Sequence, residues 1–536
     1  MNHDLSEPER PTGRLLPMVD GRAAGSAAVP RRARPIRRVL LIQPPAYSRN
    51  DRGDMTPNAP MGPGYIAAVL EQHGYEVRIL DALIEGWDQE TRITPEKILV
   101  GLTPPQIRDV IAGFAPDVVG VSSMFTSQRA NAHVIAALAK EVDPATVVIF
   151  GGAHPTAAPE MVLADPAVDY AVLSEGENTI VPLLEIIERG GDLNQLDGVA
   201  FRGPSSIVVK TKTDTVADID RLPFPARHLM PMEKYFAAGI RHGGYAKRSR
   251  GTAVITSRGC PYLCNFCTAF KVFTRVPRVR SVENIMAEID ELVLKYGVNE
   301  IFFEDDQFIA KVKHTEELLD AMIARRYDLI WDTPNGISAW LLSERLIAKM
   351  AQAGCYRVNL AIESGNQYVL DHIIHKPVRI DKIPETARLI RKYGMELGTF
   401  LVVGNVGADA VETEEQIRDS FRFARKLRVW PHASYLTPYP GSDVLRIAEE
   451  RLPDPGLQLR RPGDQQAEPQ HARMDSREAA ADRRARKAED ASVAPAGQSR
   501  SALHPDDSQC AAAPGRLHAP DVPERADARA WLMRRR

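Results

Sequence analysis

The sequence predicts an α/β protein in which a Rossmann-like open parallel sheet precedes a partial (β/α)6 barrel and a disordered carboxyl-terminal tail. Short apolar runs alternate with amphipathic helical stretches in two successive series, one before about residue 200 and one after about residue 250. This alternation is typical of parallel sheets that are covered by helices on both faces. Beyond about residue 450 the alternation stops and the composition changes.

Length and composition indicate a globular protein of several domains. A chain of 536 residues exceeds what one hydrophobic core usually supports. The 68 Lys and Arg residues are balanced by 70 Asp and Glu residues, which gives no indication of nucleic-acid binding. No apolar run reaches the roughly 18 residues of a membrane span, and five cysteines do not make a disulfide framework. We therefore expect a cytoplasmic protein with neither a nucleic-acid partner nor a membrane span.

Five regions follow from these patterns. They are a disordered tail at 1–35, the open sheet at 36–200, a linker at 201–250, the barrel at 251–450 and a disordered tail at 451–536. From Pro453 to Arg536 the chain has no Ile, Phe, Tyr, Asn or Thr and a single Lys, so it cannot bury enough apolar surface to fold. Two interpretations of this segment remain open. It is either a natural disordered tail or an out-of-frame translation of GC-rich coding sequence that replaces the true carboxyl-terminal region.

The first series contains five apolar runs that predict parallel strands. They lie at 37–44, 76–82, 117–123, 146–152 and 170–176, and a helical stretch follows each of them. Ligands of open parallel sheets bind outside the carboxyl ends of the strands, where glycine lets a ligand approach the backbone closely. Several of these runs end in small residues, which suits a ligand crevice at these ends.

The second series predicts the partial barrel. Its strand candidates are 252–259, 300–306, 329–337, 357–365, 398–405 and 432–441, and helical patterns fill the gaps. Polar or glycine residues stand at the carboxyl end of each strand. Barrels of this kind place their chemistry at that end.

Three of the five cysteines lie in the stretch SRGCPYLCNFC, at Cys260, Cys264 and Cys267. A zinc site usually has four protein ligands, and no fourth Cys or His lies within this stretch. Three thiolates on a [4Fe–4S] cluster leave one iron free to bind a substrate-like molecule. We therefore predict that the three cysteines ligate such a cluster.

The segment CPYLCNFC resembles the signature of the radical S-adenosylmethionine family, CxxxCxxC with an aromatic residue before the last cysteine. The resemblance implies a cluster whose open iron chelates the amino and carboxylate groups of S-adenosylmethionine, and a one-electron cleavage that yields a 5′-deoxyadenosyl radical. It also implies that Phe266 lies beside the adenine. Further contacts to S-adenosylmethionine are implied at the second and fourth strand ends, from Glu304, Asp305, Asp306, Glu363 and Ser364.

Three segments of the first series resemble the cobalamin-binding domain that precedes many radical S-adenosylmethionine domains. They are PNAPMGPGYIAAVLEQHGYEVRILDA, GGAHPTAAPE and VDYAVLSEGENT. The resemblance implies candidate binding residues at three strand ends. Gly151 and Gly152 would line the nucleotide tail of cobalamin, Ser122 and Ser123 would supply hydroxyl groups, and Glu175 and Gly176 would close the fifth strand end. The D-x-H-x-x-G motif that ligates cobalt in other cobalamin enzymes is absent. We expect His154 to be structural.

The resemblance covers about residues 36–445 and implies a cobalamin-dependent radical S-adenosylmethionine enzyme. The resemblance is greatest to the branch of this family that contains cobalamin-dependent methylases, the anaerobic Mg-protoporphyrin monomethyl ester cyclase and hopanoid-modifying enzymes. The main expectation is methyl transfer from methylcobalamin to an unactivated carbon or phosphorus centre of a small-molecule or lipid substrate. An external reductant of the flavodoxin or ferredoxin type would supply electrons. The alternatives are an oxidative cyclase or rearrangement with the same cofactors, and a non-catalytic cobalamin-binding or truncated product.

Overall fold

A computed structural model describes residues 28–49, 55, 57–239 and 246–451 of the chain. Most of the two predicted tails, including the segment for which out-of-frame translation was one interpretation, lies outside the described residues. No helix in the described part of the chain is both long and apolar enough to cross a membrane.

The first half of the described chain contains twelve strands and eight helices. The strands are β1 (Ala28–Val29), β2 (Arg38–Gln43), β3 (Ala46–Arg49), β4 (Glu76–Asp81), β5 (Glu90–Thr94), β6 (Lys97–Val100), β7 (Val118–Ser122), β8 (Val147–Gly151), β9 (Tyr170–Val172), β10 (Gly191–Asp192), β11 (Val199–Arg202) and β12 (Ile207–Lys210). The helices are α1 (Met61–Gln72), α2 (Ala82–Glu85), α3 (Pro104–Phe114), α4 (Arg129–Val142), α5 (Ala153–Ala157), α6 (Pro159–Leu163), α7 (Ile180–Arg189) and α8 (Met232–Ala238).

The second half contains eight strands and seven helices. The strands are β13 (Gly251–Val254), β14 (Ser257–Arg258), β15 (Arg278–Val279), β16 (Glu300–Phe303), β17 (Ile330–Asp332), β18 (Cys355–Glu363), β19 (Glu396–Val403) and β20 (His432–Tyr435). The helices are α9 (Ala269–Phe273), α10 (Val282–Tyr296), α11 (Val312–Arg325), α12 (Glu344–Gln352), α13 (Ile383–Lys392), α14 (Glu414–Lys426) and α15 (Asp443–Arg451).

The first large sheet has the strand order β12-β11-β9-β8-β7-β2-β4. The five strands predicted from the apolar runs, β2, β4, β7, β8 and β9, are all parallel to one another. Because β4 and β7 lie on opposite sides of β2, the strand order reverses at β2, and such a reversal opens a crevice at the carboxyl ends. The prediction of an open parallel sheet is confirmed. Two antiparallel strands, β11 and β12, extend the sheet with residues that the sequence analysis placed at the border of the linker.

Both faces of this sheet are buried, which explains why its strands have nearly continuous apolar sequences. Along β2, Leu40 and Ile42 belong to one core cluster, with helices α3 and α4. The alternate residues Val39 and Leu41 belong to a second cluster, with helices α1 and α7. Successive residues of a strand point to opposite faces, so one short apolar run supplies both layers.

The second large sheet is the partial barrel. Its six strands have the order β13-β16-β17-β18-β19-β20, and all are parallel. On β18, Val358, Leu360 and Ile362 are fully buried in the core cluster that includes the helices. The alternate face of β18 presents the polar residues Arg357 and Asn359. The prediction of a partial (β/α)6 barrel is confirmed.

An aromatic cluster fixes the second and third barrel strands. Trp331 on β17 is fully buried and its indole nitrogen donates to the carbonyl oxygen of Ala353 at 2.9 Å. Its ring lies 5.3 Å from that of Phe303 and 5.4 Å from that of Phe308. Such aromatic packing adds to the stabilisation from burial alone.

Replacement of Trp331 by Ala should therefore destabilise the protein strongly. Loss of a large buried ring and of its hydrogen bond lowers the free energy of unfolding by about 3–5 kcal/mol. Trp430 is 81% exposed, so Trp430→Ala is the matched control and should change stability by about 0.5 kcal/mol or less. Urea denaturation followed by circular dichroism measures both variants. Equal shifts of the two denaturation midpoints would contradict the packing described for Trp331.

Candidate functional site

The three clustered cysteines lie on one loop, residues 259–277, which we call the cysteine loop. Strands β14 and β15 pair with each other in antiparallel fashion and close the base of this loop. Gly259 opens it with φ +94, and an added Cβ would lie 2.7 Å from the carbonyl oxygen of Val276. Only glycine fits both this backbone conformation and this close approach. The loop is therefore held tightly at its start.

Cys260, Cys264 and Cys267 are all free thiols and all partly exposed. Burial raises the pKa of each thiol, and for Cys264 to about 12. No group of three or more His, Cys, Asp or Glu side chains among the described residues converges closely enough to hold a single metal ion. The ligands of a four-iron cluster are spread around a cube and need not meet at one point as zinc ligands do.

Cys355 differs from these three cysteines in its position and its burial. It is buried at the start of β18, and its thiol donates to the carbonyl oxygen of Arg357 at 3.3 Å. Burial also raises its pKa. A thiol enclosed in the sheet is not available to a cluster.

The predicted acidic stretch at the end of β16 divides into two environments. Asp305 is buried and accepts hydrogen bonds from the backbone and hydroxyl of Thr256 and from the hydroxyl of Ser257. It therefore anchors the residues just before the cysteine loop. Asp306 has one buried carboxylate oxygen without a hydrogen-bond partner among the described residues. Burial and the neighbouring Asp305 raise the pKa of Asp306 to about 6. Glu304 is partly buried and accepts from the amide of Asn335 at 3.0 Å.

Glu363 ends β18 beside a residue that the sequence analysis missed. Its backbone has φ +68, in the left-handed region. The ammonium group of Lys376 donates to its carboxylate at 2.7 Å, and both side chains are at most 10% exposed. The charges of Glu363, Cys264 and Cys267 hold the pKa of Lys376 above its ordinary value, although burial lowers it. No spacing or motif identified Lys376, because it meets Glu363 only through the path of the chain after β18, which includes a π-helix (Val369–Ile374).

The two remaining residues predicted near S-adenosylmethionine are packed differently. Phe266 is partly buried and packs against the main core cluster. Ser364 is fully buried, and its hydroxyl lies 3.1 Å from that of Ser420 on α14. The hydroxyl of Ser364 is therefore directed towards the helix layer.

At the edge of the first sheet, the serine and glycine pairs contact each other. The backbone nitrogen of Ser123 donates to the carbonyl oxygen of Gly151 at 2.8 Å. Gly152 has φ +117, and an added Cβ would lie 2.8 Å from the carbonyl oxygen of Ser123. An added Cβ at Gly151 would meet no atom within 4 Å. Ser122 is partly buried, and the next residue after the pair, Met124, is exposed. Gly152 is thus needed for packing, whereas Gly151 borders open space.

The Glu-Gly pair after β9 faces the cysteine loop. Both carboxylate oxygens of Glu175 are engaged, one with Arg258 and the other with Arg278. Gly176 packs closely against the side chains of Val172 and Ile66, which an added Cβ would approach to 3.0 and 3.1 Å. The third predicted binding end is therefore in contact with the other half of the protein.

His154 follows the glycine pair and is buried. Its Nδ1 lies 3.1 Å from the hydroxyl of Thr126, and its Nε2 has no hydrogen-bond partner among the described residues. Burial, Arg129 and His133 lower the pKa of His154 to about 4. The imidazole is therefore neutral at neutral pH.

This lowered pKa predicts acid-sensitive stability. Unfolded chains bind the proton at the ordinary pKa of 6.5 and the folded protein only at about 4, so stability is present above pH 6.5 and is lost as the pH falls towards 4. Between about pH 7.5 and about pH 5 the loss should be about 2 kcal/mol, and His154→Asn should remove most of it. Urea denaturation at the two pH values measures the difference. His228→Asn, at an exposed histidine, is the control, and an equal effect of both substitutions would refute the assignment.

Both halves of the chain resemble known protein families. Residues 56–184 match the model of the B12 binding domain, and residues 254–424 match that of the Radical SAM superfamily. The cytidylyl-2-hydroxyethylphosphonate methyltransferase of Streptomyces wedmorensis is 34% identical over 437 residues, which are 76% of this chain and 81% of the relative. The anaerobic magnesium-protoporphyrin IX monomethyl ester cyclase of Rubrivivax gelatinosus is 27% identical over 77% of this chain and 70% of the relative.

A solved structure shares the fold. It is the radical S-adenosylmethionine methyltransferase TsrM from Kitasatospora setae, with cobalamin and a [4Fe–4S] cluster bound. It aligns with a TM-score of 0.60 at 19% identity, over 78% of this chain and 75% of that chain. Both family models and a relative above 30% identity point to the same class of enzyme. The chain belongs to the cobalamin-dependent radical S-adenosylmethionine methyltransferase family.

Proposed function

We propose that this enzyme transfers a methyl group to an unactivated carbon of a small polar molecule, with the cluster held by Cys260, Cys264 and Cys267. The observation that supports this most is the set of three partly exposed thiols on one loop, with one buried, unpartnered carboxylate oxygen of Asp306 in the barrel. The charge of Asp306 contributes to the raised pKa of both Cys260 and Cys267, which supports a location of these groups near one another. The donor set fits the cluster, because thiolates are the ligands of iron–sulfur clusters.

When bound, the cluster and cobalamin supply the electron that cleaves S-adenosylmethionine and the methyl group that is transferred. The residues of the chain bind and orient these molecules. Asp306 offers a carboxylate to an ammonium group, since its free oxygen has no other partner among the described residues. Lys376 and Glu363 offer both charges together at the end of β18. A zwitterion such as the amino-acid end of S-adenosylmethionine matches this pattern of charges.

For cobalamin, the open space at Gly151 is the feature that fits. Its missing side chain leaves a backbone edge that a large flat molecule can approach. The exposed apolar side chains of Met124 and Phe125 follow the neighbouring strand β7. Exposed apolar groups at a sheet edge are typical of a ligand surface. We therefore assign cobalamin to this edge.

The substrate class is inferred from two features. The relative from Streptomyces wedmorensis is named for a nucleotide-linked phosphonate, a small anionic molecule. Polar residues, among them Arg357 and Asn359, occupy one face of β18. Both features favour a small polar substrate over a lipid. The electron would come from an external reductant of the flavodoxin or ferredoxin class.

The cysteine assignment and the reaction type are tested together. After anaerobic reconstitution, the wild-type chain should retain a brown cluster and, with a reductant and S-adenosylmethionine, form 5′-deoxyadenosine. With bound cobalamin it should also form S-adenosylhomocysteine in an amount equal to that cobalamin, even without substrate. Cys264→Ala should lose the chromophore and 5′-deoxyadenosine formation, because a cluster needs all three thiolates here. Cys355→Ala is the matched control and should retain both.

Two results would contradict the proposal. Loss of iron in both cysteine variants would reject the ligand assignment. Formation of 5′-deoxyadenosine without any S-adenosylhomocysteine would favour an oxidative cyclase, the activity of the relative from Rubrivivax gelatinosus.

The cobalamin edge is tested with Gly151→Ala. The new methyl group meets no protein atom within 4 Å, so folding should be unchanged. It would occupy the space assigned to cobalamin, and the Kd for hydroxocobalamin should rise about tenfold. Gly113→Ala, at an equally open position in α3, is the control and should leave the Kd unchanged. Unchanged binding in both variants, measured by absorbance titration, would place cobalamin elsewhere.

A further inference from the structure

Two arginines face each other at the base of the cysteine loop. Strands β14 and β15 pair with Ser257 opposite Val279 and Arg258 opposite Arg278. Like charges at directly opposed positions destabilise a strand pair. An anion between the two guanidinium groups offsets this repulsion and stabilises the closed base of the loop.

Glu175 provides this anion. One of its carboxylate oxygens lies 3.3 Å from Nη1 of Arg258, and the other lies 2.8 Å from Nη1 of Arg278. The second oxygen also accepts a hydrogen bond from the backbone nitrogen of Val216 at 2.8 Å. The side chain of Glu175 is fully buried, and those of Arg258 and Arg278 are 4% and 10% exposed. Both oxygens of this carboxylate are therefore committed to the base of the loop.

The residues beside Glu175 contact the same loop. Glu177 accepts from Nη2 of Arg258 at 2.6 Å. Ser174 has φ +59, and its hydroxyl donates to the carbonyl oxygen of Val272 within the cysteine loop. Three residues that follow β9 thus bind the base and the body of the loop. These three residues follow a strand of the sheet that we assign to cobalamin, but they contact the cysteine loop and its base.

A short chain of hydrogen bonds connects this contact to the glycine pair. The backbone nitrogen of Ser174 donates to the hydroxyl of Thr156 at 2.8 Å. That hydroxyl donates in turn to the carbonyl oxygen of Gly152 at 2.8 Å. The edge of the first sheet and the cysteine loop are therefore joined through a few rigid contacts.

We propose that Glu175 is a positioning residue for the iron–sulfur loop, and that the cobalamin-binding sheet supplies it to close the base of that loop. Its role is thus to hold the cysteines in place and not to contact cobalamin. This inference rests on the proposed cysteine ligands. Removal of the carboxylate charge leaves Arg278 without this ion-pair partner and leaves Arg258 with Glu177 alone, which weakens the pairing of the two strands. The cysteines then lose the fixed base from which they reach the cluster.

The test compares Glu175→Gln with the wild-type full-length chain after anaerobic reconstitution. Release of iron to an excess of chelator should be at least about tenfold faster in the variant, because removing one partner of a buried ion pair is strongly destabilising locally. The electron paramagnetic resonance signal of the reduced cluster should broaden. The Kd for hydroxocobalamin should change by less than about twofold.

Glu288→Gln is the matched control. Glu288 on α10 is as fully buried as Glu175 and also lies between two arginines, Arg227 and Arg280. This substitution should lower the melting temperature without accelerating iron release. A second variant, Glu175→Gln with Arg278→Gln, removes one of the opposed charges and should slow iron release towards the wild-type rate. If Glu175→Gln fails to fold, Glu177→Gln, which weakens the clamp on Arg258 alone, should show a smaller acceleration.

Each remaining outcome has a distinct meaning. Weaker cobalamin binding with unchanged iron release in Glu175→Gln would overturn the inference and make Glu175 a cofactor contact. Equal acceleration in Glu175→Gln and Glu288→Gln would also overturn it, as a general loss of stability. A wild-type chain that retained no iron would instead overturn the cysteine assignment.

Discussion

Arg258 and Arg278 oppose each other across β14 and β15, and the carboxylate of Glu175 lies between them. The two arginines flank the loop that contains three cysteines, and the carboxylate follows a strand of the other sheet. This one arrangement therefore constrains both halves of the structure. Parallel sheets present their carboxyl ends at one edge, where ligands bind. The ion pairs fix the edge of the first sheet against the loop of the barrel, so that the two candidate cofactor sites adjoin.

Buried charges recur along the segment between the two sheets. Val216 both donates to Glu175 and accepts from Arg278. Further along, Asp220 accepts from the backbone nitrogen of Ser281 at 2.9 Å, and Arg227 forms an ion pair with Glu288 at 2.6 Å. Burying ion pairs adds little net stability, but leaving one partner alone is costly. These contacts therefore determine the position of this irregular segment and add little to the stability of the fold.

The sequence predicted the elements of the fold better than the contacts of the site. Runs of apolar residues identify buried strands directly, so all five parallel strands of the first sheet and all six of the barrel were found. The strand pair β11 and β12 was not predicted, because no helix separates its two strands and the pair lies outside the alternation of strands and helices. Glu175 was grouped with cofactor contacts because it follows a strand, and Lys376 was missed altogether. Glu175 pairs with Arg258, which lies 83 residues away in the sequence. Lys376 pairs with Glu363, which lies 13 residues before it. No local sequence pattern encodes either pairing.

Asp305 and Asp306 illustrate how neighbouring residues at one strand end take different roles. Asp305 accepts from Thr256 and Ser257 and fixes the chain just before the cysteine loop, whereas Asp306 keeps a carboxylate oxygen without a partner among the described residues. A buried carboxylate without a partner is unfavourable to the folded protein alone. A bound cation would remove that penalty. The left-handed backbone of Glu363 is a second unfavourable feature at a strand end, with a cost of about 1–3 kcal/mol, and such strain is typical of functional sites.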